Sequence, residues 1–203
     1  MPILNEELSF LHVHPGDPAR SAGIHATFTG KAARRTLLAA GTELYKFTGY
    51  GVMPTRPGGA VSPWWASVSP LAGHPDPGLA GHLAAAEAAG QPVAEYAREV
   101  FAVMLNWNTL GLTQTGLAKI ERIRLTVPVY GFAGPCQRMR ESLGAAGEAR
   151  RMVHKSTPGG KSLVRHAWKS PEHSPPTFMG GAIQIYLPNL TTADIVTVGS
   201  LLA

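Results

Sequence analysis

The residues best suited to chemistry lie in Phe178–Asn189, where a glycine pair leads into a strand-like run. The run Ala182–Leu187 is apolar except for the amide of Gln184. Because successive side chains of a strand point to opposite faces, Gln184 points away from its two isoleucine neighbours. Gly180 and Gly181 remove side chains where a ligand or another backbone could approach. A buried amide needs hydrogen-bond partners, and a ligand hydroxyl group is one candidate.

Two upstream segments carry residues that could complete a cleft with this run. Tyr45 and Lys46 lie in an alternating stretch typical of a strand, where Lys46 could bind a diphosphate or simply face solvent. Ser62 is followed by a proline and by Trp64 and Trp65. An indole can stack on an aromatic ligand or pack in the core. Adjacent strand residues point to opposite faces, so at most one tryptophan is expected to line a cleft.

Taken together, the three segments resemble the ADP-ribosyltransferase-like fold of NAD-consuming toxins. That fold distributes its site over a basic or aromatic residue in a first strand, a serine in a second strand, and a carboxylate or amide in a late strand. The segment Gly180–Pro188 is also similar to the Gly-Gly-x-x-Gln segment of necrotizing-toxin-like NAD glycohydrolases. The resemblance implies an α+β fold with a split antiparallel sheet core, a few short helices and long loops. It implies NAD as the substrate and, as partners, a protein or nucleic-acid target or an immunity protein.

The resemblance also assigns roles to individual residues. Those implied for catalysis are Gln184, Lys46 and Ser62, and those implied for substrate binding are Tyr45, Trp64, Trp65, Gly180 and Gly181. Gln184 would hold the ribose while the nicotinamide–ribose bond passes through an oxocarbenium-like state. Lys46 would meet the diphosphate, one tryptophan would flank the nicotinamide, and Ser62 would support the late strand. Gln184 stands where transferases of this fold usually carry a glutamate, and Lys46 where an arginine or histidine is commoner. These departures favour NAD glycohydrolase activity over ADP-ribosyl transfer to a protein.

A basic segment supports a different class of function. Eight basic residues lie between Arg138 and Lys169, against only Glu141 and Glu148, and the whole chain has a net charge of +5. Such a segment suits a non-catalytic protein that binds an acidic partner or nucleic acid, or it is a solvated loop. A third hypothesis is a structural or interaction protein in which the tryptophan and glutamine segments only pack in the core and stabilise the sheet.

Composition predicts one globular domain over residues 1–203. Hydrophobic residues make up 44% and charged residues 15%, well below the roughly 25% charged residues of typical domains, while 23 Gly and 17 Pro indicate many loops. No apolar run approaches the roughly 20 residues that span a bilayer. The first residues lack a secretory signal, and the single cysteine, Cys136, excludes an internal disulfide framework. We therefore expect a cytoplasmic protein, or export without an N-terminal signal, and no membrane partner.

Other motifs do not meet their chemical requirements. The segment Pro158–Ser162 resembles the end of a P-loop, but Lys155 occupies the position of the required first glycine. His12 and His14 would share a strand face, yet no third ligand has suitable spacing, so we expect no metal site. Nothing near Cys136 in the sequence marks it as an activated nucleophile.

Local patterns predict the following elements. The predicted helices lie over 31–40, 78–89, Pro92 to about Leu105 (amphipathic) and 191–201 (short). The predicted strands lie over 43–48, 61–68, 123–132 and 182–187. The rest is an irregular lead-in over 1–30, a loop over 49–57 and a basic excursion over 134–177. Strands with segregated helices indicate an α+β domain.

Overall fold

A computed structural model describes residues 2–48, 57–101, 119–137, 139–140, 142–143, 148–150, 166–167, 177–178 and 180–202. The predicted loop over 49–57 lies outside these residues except for Pro57. Most of the predicted basic excursion over 134–177, and the predicted helix beyond Phe101, also lie outside them.

Three α-helices form within the described residues. They are α1 (Pro18–His25), α2 (Gly78–Ala88) and α3 (Val93–Val100), and single 3-10 turns form at Thr29–Lys31, Pro57–Gly59 and Thr192–Asp194. Helix α2 confirms the predicted helix over 78–89, and α3 confirms the predicted amphipathic helix over Val93–Val100. The prediction of an irregular lead-in is wrong because α1 lies within it. Asp17 caps that helix by accepting a hydrogen bond from the backbone N–H of Arg20, and Pro18 fits its first position.

The described strands form one large antiparallel sheet and two small ones. They are β1 (Arg34–Leu38), β2 (Glu43–Thr48), β3 (Trp64–Ser67), β4 (Lys119–Leu125), β5 (Val129–Pro135), β6 (Met139–Arg140), β7 (Ser142–Leu143), β8 (Glu148–Arg150), β9 (His166–Ala167), β10 (Thr177–Phe178), β11 (Ile183–Tyr186) and β12 (Ile195–Leu202). Seven strands in the order β1-β5-β11-β3-β2-β4-β12 form the main sheet. The protein is therefore a mixed α+β fold with an open antiparallel sheet, as its sequence predicts at that level.

Strands β2, β3 and β11 confirm three predicted strands. Pro63 precedes β3, which lies between β11 and β2, so this proline marks a strand start and not a sheet edge. The predicted single strand over 123–132 is wrong. Strand β4 ends at Leu125 and β5 begins at Val129, and the two strands are not neighbours in the sheet.

Two predicted helices are strands. The alanines and leucines over 31–40 favour a helix, but Arg34–Leu38 pairs with β5 along its whole length. Thr191 and Asp194 do form a capping box, yet the helical geometry stops after one 3-10 turn. The β-branched residues that follow suit the extended backbone of β12, which pairs with β4.

The main sheet buries apolar side chains on both faces. One face, here the inner face, carries a cluster of buried residues that includes Leu44, Trp65, Ile123, Ile183 and Ile185. The other face, here the Gln184 face, is covered in two parts. Helices α2 and α3 cover one part, and the N-terminal segment with α1 covers the other.

Candidate functional site

The register of three adjacent strands determines which predicted residues share the Gln184 face. Gln184 and Tyr186 lie two residues apart on β11, and Tyr186 pairs with Trp64 on β3. Directly paired residues project to the same face, so Trp64 lies on the Gln184 face. Ile185 pairs with Trp65, which is 2% exposed in the core of the inner face. Trp64 is therefore the tryptophan that can line a cleft beside Gln184.

Tyr45 lies on the Gln184 face but is fully covered. It pairs with Ala66, two residues from Trp64, and packs with Ala97 and Phe101 below the helices. Its exposed fraction is 0%, and its hydroxyl group has no hydrogen-bond partner within the described chain. Burial, with a smaller contribution from Asp76, raises the pKa of Tyr45 far above its ordinary value. Tyr45 is consequently a core residue in this structure.

Lys46 lies on the inner face, on the opposite side of the sheet from Gln184. It pairs with Glu121 on β4, and its Nζ lies 5.5 Å from the centroid of the Trp65 ring. Burial lowers the pKa of Lys46 to about 8, while the Glu121 charge opposes that shift. The structure thus separates two residues, Lys46 and Gln184, that the sequence-based scheme placed around one NAD molecule.

Cys136 fixes one end of the Gln184 amide. Its thiol donates a hydrogen bond to Oε1 of Gln184 at 3.4 Å. The thiol is 2% exposed, and burial raises its pKa to about 12, so it stays protonated and able to donate. The amide Nε2 has no partner among the residues that the structure describes. Gln184 is half-buried and therefore offers two N–H donors to an acceptor such as a hydroxyl or carbonyl oxygen.

Aromatic rings form the wall beside this amide. The ring centroids of Trp64 and Tyr186 are 4.6 Å apart, and those of Trp64 and Phe28 are 5.8 Å apart. The Tyr186 hydroxyl is 2.7 Å from Nε2 of His14. Burial, helped by the Arg20 charge and opposed by Asp17, lowers the pKa of His14, so the imidazole is neutral at neutral pH. Trp64 itself is half-buried, which leaves part of its indole accessible.

Sequence reasoning missed the contribution of the N-terminal segment to this wall. Tyr186 could be placed from its spacing to Gln184, because residues two apart share a strand face. His14 and Phe28 had no such signal, since they approach the late strand only through tertiary packing.

The glycines and the serine predicted for the site contribute backbone conformation and backbone hydrogen bonds. Gly180 and Gly181 have φ values of 65° and 93°, a region that favours glycine. The N–H of Gly181 donates to the carbonyl of Cys136, which aligns the start of β11 with the end of β5. The Ser62 carbonyl accepts a hydrogen bond from the Trp65 indole at 2.6 Å. The hydrogen bond to the end of β11 is instead made by the next residue, Pro63, whose carbonyl accepts from the N–H of Leu187.

Gln184 and Trp64 lie at the boundary between the two parts that cover their face. Cys136 and Ala182 belong to the apolar cluster below α2 and α3. Tyr186 belongs to the cluster below the N-terminal segment, and Trp64 packs against that cluster. Gln184 lies between Ala182 and Tyr186 on its strand and so contributes an amide where the two apolar clusters meet. We refer to Gln184, Cys136, Trp64, Tyr186 and His14 as the Gln184 site.

Within the described part of the chain, no three His, Cys, Asp or Glu side chains are grouped closely enough to hold a metal ion. No helix among the described residues has the length and apolar character needed to cross a membrane. Comparisons with protein-family models, with curated proteins and with solved structures found no match.

Proposed function

We propose that this protein cleaves the nicotinamide–ribose bond of NAD at the Gln184 site, on an ADP-ribosyltransferase-like core. The observation that carries the proposal is the adjacency of β11, β3 and β2 in one antiparallel sheet. These are the late, second and first strands over which the resemblance distributes its site. Their register brings the amide of Gln184 and the indole of Trp64 to one face, half-buried at a boundary between two apolar clusters.

Gln184 supplies the interaction that the reaction needs most. Cleavage of the glycosidic bond builds positive charge on the ribose, as in other glycoside cleavages. With Oε1 engaged by Cys136, the amide donates through Nε2 to a ribose hydroxyl oxygen and orients the sugar. The nicotinamide leaves from a ring that is already cationic, so a strong general acid is not required. Water then adds to the ribose carbon, so the products are ADP-ribose and nicotinamide. An amide therefore suffices for hydrolysis, whereas transfer to another acceptor would need a carboxylate to activate that acceptor.

Trp64 supplies an apolar face for the nicotinamide ring. Its indole already packs against Tyr186 and Phe28, so it is held in place before a ligand binds. Lys46 has no place in this scheme, because it lies on the inner face. The diphosphate of NAD must therefore be recognised by other groups.

The test is nicotinamide release from NAD by purified wild-type protein, Gln184→Ala and the matched control Gln91→Ala. We expect release by the wild type and by Gln91→Ala. The rate for Gln184→Ala should fall by about 100-fold to 1000-fold, the usual effect of removing one positioned donor. Circular dichroism checks that each variant is folded. Absence of release by wild type at high protein concentration would overturn the proposal, as would full activity of Gln184→Ala.

A further inference from the structure

Three ionisable side chains, none of them part of the Gln184 site, form a row that begins at a half-buried tyrosine and ends at a buried carboxyl group. The hydroxyl of Tyr96 on α3 is 3.4 Å from Nδ1 of His82 on α2. The opposite ring nitrogen, Nε2, is 3.8 Å from Oδ1 of Asp76, in the loop before α2. Tyr96 is half-buried, whereas the exposed fractions of His82 and Asp76 are 5% and 7%. Tyr96 is thus the least buried member of the row.

The buried members of the row are held by their surroundings. Oδ1 of Asp76 accepts a hydrogen bond from the backbone N–H of Gly78 at 3.1 Å. The His82 ring packs against Phe101, with ring centroids 5.2 Å apart. Oδ2 of Asp76 and Nε2 of His82 have no hydrogen-bond partner among the described residues. A carboxylate facing Nε2 favours the tautomer with its proton on that nitrogen, which leaves Nδ1 as an acceptor toward Tyr96.

This order of groups is that of a nucleophile assisted by a base, because burial raises the pKa of Tyr96 and the phenol must pass its proton to a neighbour in order to react. A nucleophile must lie near a base, and a third group must orient the base. Burial lowers the pKa of His82, so its imidazole is neutral at neutral pH and can accept a proton. The two separations are longer than ordinary hydrogen bonds, as is common before a ligand binds.

We propose that Tyr96 is a nucleophilic phenol that takes an acyl group from an activated acyl compound, with His82 as its base and Asp76 as the positioning residue. Oη of Tyr96 attacks the acyl carbon and forms the ester bond, while the bond to the leaving group breaks. Nδ1 of His82 takes the phenol proton and passes it to the leaving group. The products are O-acyl-Tyr96 and the protonated leaving group. This activity is independent of NAD cleavage.

Acylation by N-acetylimidazole tests the proposal, with each tyrosine followed by peptide mass spectrometry on the folded protein. Tyr130 is the internal control, because it is also half-buried but lies against Arg35 instead of a histidine. We expect Tyr96 to be acylated at least about tenfold faster than Tyr130, since general base catalysis typically contributes more than that. Equal rates in the wild type would overturn the proposal.

Variants assign the roles of the two buried residues. His82→Gln should bring the Tyr96 rate down to that of Tyr130 without changing the Tyr130 rate. Asp76→Asn should shift the pH dependence of the Tyr96 rate, while Asp76→Glu should restore part of the wild-type profile. If His82→Gln does not fold, the pH dependence of the two acylation rates in the wild type tests the proposal instead. The Tyr96 rate must fall relative to that of Tyr130 as acid protonates His82, and parallel profiles would overturn the proposal.

Discussion

The thiol of Cys136 and the amide of Gln184 meet across two neighbouring strands, with 3.4 Å between Sγ and Oε1. Cys136 directly follows β5, and its N–H donates to the carbonyl of Ala182 just before β11. This contact joins the sheet at the point where the candidate site begins. It also leaves the amide with a defined orientation, because a protonated thiol is a donor and Oε1 is the acceptor.

We expect the Cys136 thiol to be protected from alkylation and disulfide exchange in the folded protein. The thiolate is the reactive species, and burial raises the pKa of this thiol from 9.0 to about 12. Three pKa units reduce the thiolate fraction by about 1000-fold, and the 2% exposure adds a steric barrier. The reaction with a coloured disulfide reagent at pH 8, in buffer and in denaturant, measures this ratio. Similar rates in both conditions would contradict the described burial, and Cys136→Ser gives the background.

Gly134→Ala should destabilise the protein by about 1–3 kcal/mol, the usual cost of forcing a group into a packed site. Gly134 pairs with Gln184, and an added Cβ would lie 2.9 Å from the carbonyl oxygen of Ala32 and 3.0 Å from the Phe28 ring. Gly23→Ala is the matched control, because a Cβ there, within α1, meets nothing within 4 Å. It should stabilise the protein by about 0.5–1 kcal/mol.

Urea unfolding of the wild type and both glycine variants measures these free energies of unfolding. The two substitutions add the same methyl group, so opposite signs would reflect the helix propensity gained at Gly23 and the close contacts created at Gly134. Equal stability of Gly134→Ala and the wild type would show that the N-terminal segment does not pack on β5 as described.

Lys46→Met should flatten the rise of stability with pH between pH 8 and 10. The folded pKa of Lys46 is about 8, below the ordinary value of 10.5, so the unfolded chain binds more protons between these values. The cost of burying the charged amine is full below pH 8 and disappears as pH rises toward 10.5. It amounts to up to about 3 kcal/mol, since one pKa unit corresponds to about 1.4 kcal/mol.

Denaturant unfolding at pH 7, 8, 9 and 10 measures the effect of Lys46→Met as a difference from wild type. Lys31→Met, at an exposed lysine, is the control and should follow the wild-type curve. If the two methionine variants show the same pH dependence, Lys46 is not buried on the inner face.

Local sequence patterns predict the central strands of the sheet because these are short runs that are either apolar or alternating. The Gln184 strand has a single polar residue among apolar ones, and β11 pairs with both β3 and β5, as a buried interior strand does. The segment at Arg34–Leu38 has a weaker local pattern, and its leucines and alanines fit either structure. Its pairing with β5 decides the outcome, and that partner lies far along the chain.

The composition of the Gln184 site depends on register more than on local pattern. Alternation alone shows that Tyr45 and Lys46 point to opposite faces, but not which of them joins Gln184. The pairing of β2 with β3 settles this in favour of Tyr45, which the helices then bury. His14 reaches Tyr186 across 172 positions of sequence, so no spacing rule could have found that contact.

The central position of β11 has a consequence for protein synthesis. Before Ile183–Tyr186 emerges from the ribosome, β5 can pair with β1, and β2 can pair with β3 and β4. The strand that joins these two groups, β11, is still missing. The edges of β3 and β5 that later pair with β11 then offer unpaired backbone groups to other chains. A nascent chain therefore passes through an aggregation-sensitive stage that ends when β11 inserts. Any activity of Gln184 starts only after that step, when synthesis has already passed Tyr186.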